Sequence, residues 1–389
     1  MNRWLVVLGA VIVQICVGSI YTWSLFNQPL MDKYGWLNNE VYLAYSIAIF
    51  VFALITIISG RLQDKIGPRK VSTIGILLYG GGIALSSTAN SLIQLYFFYG
   101  IIAGAGVGFA YVCPLSTCLK WFPDKKGFIT GITVGSFGLG SLAFKSIIEY
   151  FIENSGVSVT FLYLGAICTV LGLIGSQFLI NPRNNTHRKE GFCENSNNFS
   201  VKQMLKTKSF YLLWMILLLG SLSGLMIIGL AKDIGTELAG LDASVAAGAV
   251  SVIAIFNAAG RILMGATSDK AGRIKVIRLL FLFIIISLII MSFIELSYIL
   301  FFTCVSSIAF SFGGIMAIFP AITSEYYGNK NLGANYGLVF QAYGMGALVG
   351  PMIISSIGEF QATFLIAAML SILGGALTYV VTPPSPSLK

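Results

Sequence analysis

One arginine lies inside an otherwise apolar segment, FNAAGRILMG at residues 256–265. Arg261 stays protonated at any physiological pH, and its planar guanidinium can bind a carboxylate through two parallel hydrogen bonds. The nearest downstream acidic residue, Asp269, lies two helical turns away. An unpaired cation in an apolar segment is costly, so it indicates a function, here the binding of an anion. The alternative is that Arg261 snorkels to a polar surface, since Gly265 follows only four residues later.

Residues that commonly carry catalysis or bind metals are scarce. The single histidine, His187, lies in a polar stretch, and the six cysteines show no CxxC spacing. A GxxxxGK[ST] phosphate-binding loop is absent, so a nucleotide-driven pump is excluded. A membrane enzyme would need clustered polar groups at one depth, and the sequence offers only Arg261 and scattered hydroxyls. We therefore expect no enzyme activity, no metal and no organic cofactor.

Composition places most of the chain in a membrane. Of the 389 residues, 56% are hydrophobic and only 10% are charged, and the mean hydropathy is +0.86. A surface so poor in charge must face lipid, since soluble domains carry about 25% charged residues. The net charge of +9 is spread between apolar runs and forms no basic domain, so we expect no nucleic-acid binding.

Apolar runs long enough to cross a bilayer recur along the whole chain, since a crossing needs about 20 residues. The polar stretch 181–206 divides these spans six and six. It predicts an all-α membrane protein with an N-terminal six-helix bundle (1–180), a linker (181–206) and a C-terminal six-helix bundle (207–389). The twelve predicted spans lie near 4–26, 41–60, 71–89, 92–118, 127–151, 158–180, 207–231, 243–266, 276–294, 297–320, 332–357 and 362–381.

The distribution of positive charge predicts the orientation. Twenty of the 24 Lys and Arg residues lie at the termini or in loops that follow even-numbered spans. Cytoplasmic loops carry such an excess, so both termini and the linker are predicted to be cytoplasmic. We expect a multi-pass protein of the cell membrane.

An internal repeat relates the two halves at a shift of 205 or 206 residues. GRLQDKIGPRK (60–70) aligns with GATSDKAGRIK (265–275). Any one glycine is explained by helix packing, but a shared register of Gly and Pro indicates a shared backbone design. Arg261 aligns with Thr56, so this charge is not part of the repeat. The further matches are Gly108, Pro114, Gly127, Gly131, Gly138 and Gly140 with Gly314, Pro320, Gly333, Gly337, Gly344 and Gly346.

The loop at 60–70 resembles the signature loop of the major facilitator superfamily, and the loop at 265–275 resembles its weaker second copy. The resemblance implies two pseudo-symmetric six-helix bundles and transport by alternating access. In this family the acidic residue of the loop caps a helix or pairs with a base. The alternative is that these residues are solvated turn charges. The expected gating residues are Gly60, Asp64, Arg69, Gly265, Asp269 and Arg273.

Four segments resemble the oxalate/formate antiporter and monocarboxylate transporter branch more closely: 18–26, 104–127, 256–265 and 318–328. The resemblance implies that Arg261 binds a substrate carboxylate. It further implies that Asn257, Tyr111 and Tyr21 lie around that carboxylate.

The sequence departs from the dicarboxylate carriers at one position. Where they have a lysine in span 11, this chain has Tyr343, and span 11 holds no basic residue. A single arginine would leave the second carboxylate of a dianion desolvated and unpaired. The span-10 stretch SFGGIMAIFP also reads as aliphatic, which suits a small apolar substrate. The expected substrate-binding residues are Arg261, Asn257, Tyr111, Tyr21, Tyr343 and Gln341.

We therefore expect a secondary transporter of a small monocarboxylate such as lactate, pyruvate or formate, acting as a monomer in the bilayer. Proton symport is the expected coupling, and Asp233 and Glu237, interpreted as loop charges, are its best titratable partners. Exchange of the oxalate/formate type is the alternative within transport. A transporter-like membrane sensor is the alternative from another class, although it would need a signalling domain.

Overall fold

The computed structural model describes residues 2–122, 126–182, 198–328 and 331–384, and within these ranges the chain is helical with no strand. The first half comprises α1 (Arg3–Gly18), a 3-10 helix (Ser19–Leu25), α2 (Asn27–Tyr34), α3 (Asn38–Ile66), α4 (Pro68–Ser86), α5 (Leu92–Leu95), a π-helix (Tyr96–Ala103), α6 (Gly104–Trp121), α7 (Lys126–Gly138) and α8 (Gly140–Gln177).

The second half repeats this sequence of long helices. A short helix of the linker, α9, precedes it. The elements are α9 (Val201–Met204), α10 (Lys208–Glu237), α11 (Ala243–Ala271), α12 (Arg273–Phe293), α13 (Tyr298–Tyr327), α14 (Leu332–Val339), α15 (Gln341–Ile357) and α16 (Phe360–Leu377).

Several of these helices begin at side chains that satisfy the free N–H groups of the first turn. The Asn2 side chain accepts from the Trp4 amide, 3.0 Å away, at the start of α1. Thr207 caps α10 and Ser297 caps α13 in the same way. Such caps satisfy backbone donors that the first turn of an apolar helix would otherwise leave without a partner.

Nine helical stretches among the described residues are long and apolar enough to cross a membrane. One of them, Ile129–Gln177, has 49 residues and contains a break at Gly156, whose φ is 77°. That length suffices for two crossings, since one needs about 20 residues. Neither α4 nor the pair α14 and α15 is among the nine, and the twelve crossings remain a prediction.

The two halves use the same helix contacts, as the sequence repeat predicts. In the first half α3 packs against α6, α4 against α8 and α1 against α7. The equivalent pairs in the second half are α11 with α13, α12 with α16 and α10 with α15. Gly67 and Gly272, which align in the repeat, both have positive φ, at 90° and 93°. Each closes the same turn between two long helices, where a residue with a Cβ would be strained.

Several helix contacts join the halves, and among the most extensive are those of α3 with α14 and α15, of α7 with α11, and of the 3-10 helix with α10. Two of them contain pairs that the repeat relates. Gly131 of α7 faces Ile262 of α11, and Gly337 of α14 faces Ile57 of α3. These two glycines align with each other, as do the two isoleucines. The halves therefore meet through symmetry-related, closely packed surfaces.

The end of the predicted linker packs onto the second half. Phe199 is buried, its amide donates to the Tyr327 carbonyl at 3.0 Å, and its carbonyl accepts from Asn331 and Asn335. Most of the remaining linker, 183–197, which includes His187, lies outside the described residues.

Close packing of α4 provides a test of the fold. A Cβ on Gly82 would lie 2.5 Å from the Ala103 nitrogen, whereas a Cβ on Gly81 would meet nothing within 4 Å. We expect Gly82→Ala to destabilise the protein by about 1–3 kcal/mol because of overpacking. Gly81→Ala is the matched control and should be neutral or stabilising by up to about 1 kcal/mol. Thermal unfolding in detergent measures both, and equal melting temperatures would contradict this packing.

Candidate functional site

Arg261 lies at the boundary between the halves, on the face of α11 that packs against α7. The side chain is 2% exposed, and its Nη1 donates to the Val134 carbonyl of α7 at 2.5 Å. The guanidinium carbon lies 5.6 Å from the centre of the Phe137 ring. Its Nε has no hydrogen-bond partner, and it forms no ion pair among the described residues. The guanidinium therefore points into the protein, not to the membrane surface as snorkelling would require.

Asn257 precedes Arg261 by one helical turn and faces the same neighbouring helix. It is buried, and its Nδ2 makes only a long 3.4 Å hydrogen bond to the Ala309 carbonyl. Its Oδ1 has no partner and faces Gly138, where an added Cβ would lie 2.7 Å away. Asn257 thus has a free acceptor and Arg261, one turn further along α11, has a free donor, and a bound molecule could use either group.

Two predicted tyrosines from opposite halves meet beside Arg261. The hydroxyls of Tyr21, on the 3-10 helix, and Tyr343, on α15, are 3.0 Å apart, and both residues are buried. Arg261 interacts electrostatically with both. The position that holds a lysine in dicarboxylate carriers therefore carries a neutral hydroxyl at this site.

Tyr111 of α6 completes the group that the sequence predicted. It is buried and interacts electrostatically with Arg261. Its ring packs edge-on against Phe52 and Phe137, with centroid distances of 5.0 and 5.2 Å. The fold thus brings Tyr111 and Tyr21 from the first half to Arg261 and Tyr343 of the second.

Gln341 lies near this group but has a different role in this conformation. Its Nε2 donates to the Ala53 carbonyl of α3 at 2.7 Å and to the Gly337 carbonyl at 2.9 Å. Both amide hydrogens are therefore used, and only the oxygen remains, which a carboxylate would repel. Gln341 fastens α15 to α3, much as Arg261 fastens α11 to α7.

Sequence reasoning missed the phenylalanines that surround these polar groups. Apolar residues in apolar spans carry no signal of which side they face. Phe312 lies in the span-10 stretch interpreted as aliphatic, yet its ring stacks on Tyr343 at 6.3 Å and contacts Tyr21. Four such rings, from Phe52, Phe137, Phe312 and Phe340, contact Tyr21, Tyr111 or Tyr343.

The second loop of the repeat forms the ion pair that the resemblance implied. Arg273 pairs with Asp269 at 2.5 Å and with Glu325 of α13 at 2.9 Å. It also donates to Ser268 at 2.6 Å. Gly265 packs near α13, because a Cβ added to it would lie 3.7 Å from the Ala317 Cβ. This loop therefore ties the end of α11 to α13.

The first loop is built differently. Arg69 binds the Gln177 carbonyl at the end of α8 through its Nε, at 2.9 Å, and through Nη2. Gly60 is buried within α3, and the Asp64 side chain lies outside the described residues. The role of Arg69 is taken in the second half by Arg278, which binds Thr378 at the end of α16. Arg69 and Arg273, although they occupy equivalent loops, therefore have different partners.

The two candidate proton-binding residues differ in their surroundings. The expectation that Asp233 is a loop charge is wrong, because α10 continues to Glu237 and Asp233 is only 4% exposed. Its carboxylate accepts from Asn27 of the other half at 2.7 Å. Glu237, at the last turn of α10, is exposed. Among the described residues no cluster of three or more His, Cys, Asp or Glu could hold a metal ion.

Comparison with known proteins identifies the family. The model of the Major Facilitator Superfamily matches residues 6–351 and 240–389. An uncharacterized MFS-type transporter of Escherichia coli, YhjX, is 34% identical over 348 residues, covering 89% of this chain and 86% of the relative.

Two further relatives confirm the resemblance found in the sequence. The oxalate:formate antiporter of Oxalobacter formigenes is 29% identical over 387 residues, 98% of this chain and 92% of its own. Monocarboxylate transporter 9 of Rattus norvegicus is 24% identical over 180 residues, 46% of this chain and 35% of its own. The chain is a multi-pass membrane protein and belongs to the Major Facilitator Superfamily, a family of transporters.

Proposed function

We propose that this protein is a secondary transporter of a small monocarboxylate in the cell membrane, and that Arg261 binds the substrate carboxylate. The observation that carries the proposal is the buried guanidinium at the boundary of the halves, with a free Nε and no acidic partner among the described residues. Such a group is costly unless a ligand completes it, because desolvated charge needs a partner.

The surroundings of Arg261 support the proposed size and charge of the substrate. The neighbouring hydroxyls of Tyr21, Tyr111 and Tyr343 are neutral, so one guanidinium balances one carboxylate. The phenylalanine rings present an apolar surface to the site, which suits a monocarboxylate with at most a small apolar substituent, such as formate, lactate or pyruvate. A dianion would keep a second charge without a partner.

Substrate binding and the movement of the halves share one hydrogen bond. In this conformation Nη1 of Arg261 is bound to the Val134 carbonyl of α7. A carboxylate is a stronger acceptor than a carbonyl for this donor. A substrate would therefore compete for Nη1 and loosen the contact between α7 and α11, which favours rocking of one half against the other.

Proton symport is the coupling that we propose, since a proton offsets the charge of a monoanion. Anion exchange is the second candidate. This second candidate is supported by the similarity to the oxalate:formate antiporter, which extends over 98% of this chain.

We further propose twelve crossings, with both termini and the linker on the cytoplasmic side. The excess of Lys and Arg on one side supports this orientation. To test it, single cysteines are introduced at Ser387 or at Asn90 of a variant that lacks the native cysteines. Intact cells that contain these variants are then treated with a membrane-impermeant thiol reagent. We expect labelling at residue 90 only, and labelling at residue 387 would contradict the orientation.

The Arg261 assignment is tested by uptake of labelled lactate, pyruvate, formate and oxalate into proteoliposomes. We expect Arg261→Lys to reduce monocarboxylate transport by at least about tenfold, because an ammonium cannot reproduce the planar fork. Arg278→Lys is the matched control, since Arg278 contacts Thr378 and the Tyr379 ring at the end of α16, and it should retain transport. Wild-type rates of monocarboxylate transport in Arg261→Lys would contradict the assignment of Arg261 as the residue that binds the carboxylate.

Variants of Tyr343 test whether the single cation, Arg261, restricts the substrate to a monoanion. Tyr343→Lys adds a second cation beside Arg261, so we expect oxalate transport to rise relative to that of lactate or formate. Tyr343→Phe, which removes only the hydroxyl bonded to Tyr21, should not favour oxalate. Efficient oxalate exchange by the wild-type protein would show that one cation suffices for a dianion and would contradict the proposed preference for monocarboxylates.

A further inference from the structure

Asp233 is the one carboxylate buried among the described residues, and it lies in a helix that is long and apolar enough to cross the membrane. Its partner is a neutral amide, the Nδ2 group of Asn27 at 2.7 Å, which also donates to the Gly229 carbonyl at 3.1 Å. An ionised carboxylate in such surroundings is disfavoured unless a cation or several donors offset its charge.

The charged groups that act on Asp233 are Lys232 and Glu237, both on α10 itself. The elements packed against this end of α10 contribute the amides of Asn27 and Asn38, which are neutral. No ion pair forms between Lys232 and Asp233 among the described residues. No fixed cation therefore neutralises Asp233.

Both neighbouring amides have an oxygen that lacks a donor. Asn27 is fully buried and its Oδ1 has no hydrogen-bond partner, and the Oδ1 of Asn38 has none either. An ionised Asp233 would add further acceptors to these two. A protonated Asp233 would supply the O–H donor that the group lacks, so the cluster fits a proton.

The hydrogen bond from Asn27 to Asp233 also joins the two halves. Beside it the Tyr42 hydroxyl of α3 donates to the Leu225 carbonyl of α10 at 3.3 Å, and Gly229 packs under the Tyr42 ring. This end of the boundary must separate when the transporter opens on this side. Separation would bring Asp233 into contact with water, where its proton can exchange.

Asp233 is remote from Arg261. Asp233 lies four residues before the end of α10, and Arg261 lies eighteen residues after the start of α11. At a rise of 1.5 Å per residue this places them about 20 Å apart along the bundle. The two charges therefore do not neutralise each other directly, and coupling between them must pass through the movement of the halves.

We propose that Asp233 is the binding site of the coupling proton and that its contact with Asn27 is a proton-dependent latch between the halves. In the outward-open state Asp233 takes a proton from water, and the neutral carboxyl group can then close against Asn27. The ionised form resists closure because its charge would be buried without a cation. The proposal rests on the monocarboxylate transport proposed above, and it assigns the proton to a residue outside the substrate site.

The test separates substrate movement from proton coupling in proteoliposomes. Counterflow of labelled lactate at equal pH measures substrate movement, and accumulation driven by an alkaline interior measures coupling. Protein-free vesicles correct for leakage of the undissociated acid. A symporter that moves one proton with each substrate anion accumulates the substrate about tenfold for a gradient of one pH unit. A tenfold concentration ratio and a difference of one pH unit correspond to the same free energy.

We expect Asp233→Asn to keep counterflow and to lose accumulation, because an amide cannot bind the proton. Glu237→Gln, one turn later and exposed, is the matched control and should keep both. Asp233→Glu retains a carboxylate and should also keep both. If the melting temperature shows that Asp233→Asn folds poorly, then the result for Asp233→Glu is used instead. An Asp233→Glu protein that keeps counterflow but loses accumulation would contradict the proposal.

The remaining outcomes are distinct. Wild-type accumulation in Asp233→Asn would overturn the assignment, as would loss of counterflow in a well-folded Asp233→Asn. Counterflow without accumulation in the wild-type protein would show exchange and would also overturn it. Absence of counterflow for lactate, pyruvate and formate in the wild-type protein would instead overturn the proposed function.

Discussion

The cost of burying two unpaired charges is the constraint on which the rest of the structure depends. Arg261 and Asp233 are the charged residues buried within the described ranges. They have opposite signs, yet each is held by a neutral group of the other half, the Val134 carbonyl and the Asn27 amide. Neutral groups offset only part of the desolvation of a charge. In this conformation each of the two groups therefore lacks a charged partner, which the proposed substrate would supply to Arg261, while the proposed proton would neutralise Asp233.

The scaffold around these charges is symmetric, whereas the charges are not. Gly131 against Ile262 and Gly337 against Ile57 are equivalent contacts that let the two halves approach closely. At one contact a cation, Arg261, donates to the opposite backbone, and at the other a neutral amide, Gln341, does so. A symmetric scaffold can rock between two related arrangements. Because the two donors differ in charge, only the contact made by Arg261 would respond to an anion.

Aromatic rings define the surroundings in which Arg261 acts. They exclude water from the guanidinium, and the lower local dielectric strengthens its interaction with any carboxylate that enters. The hydroxyls of Tyr21 and Tyr343 already bond to each other, so they can remain satisfied when no substrate is bound. The site thus combines one strong, incomplete donor with neutral groups that tolerate an empty state.

The sequence alone determined the features that depend on local composition and on the repeat: apolar helices, two related halves, and Arg261 as an isolated cation within an apolar segment. These follow from hydropathy and from glycine geometry, which are readable over a few tens of residues. The tertiary structure decided which groups meet. Tyr21 and Tyr343 are 322 positions apart, and Val134 and Arg261 are 127 apart. Only the folded chain could show that Phe312 faces the site, that both amide hydrogens of Gln341 are already hydrogen-bonded and that Asp233 is buried. Such contacts depend on how distant helices pack, and no local pattern encodes them.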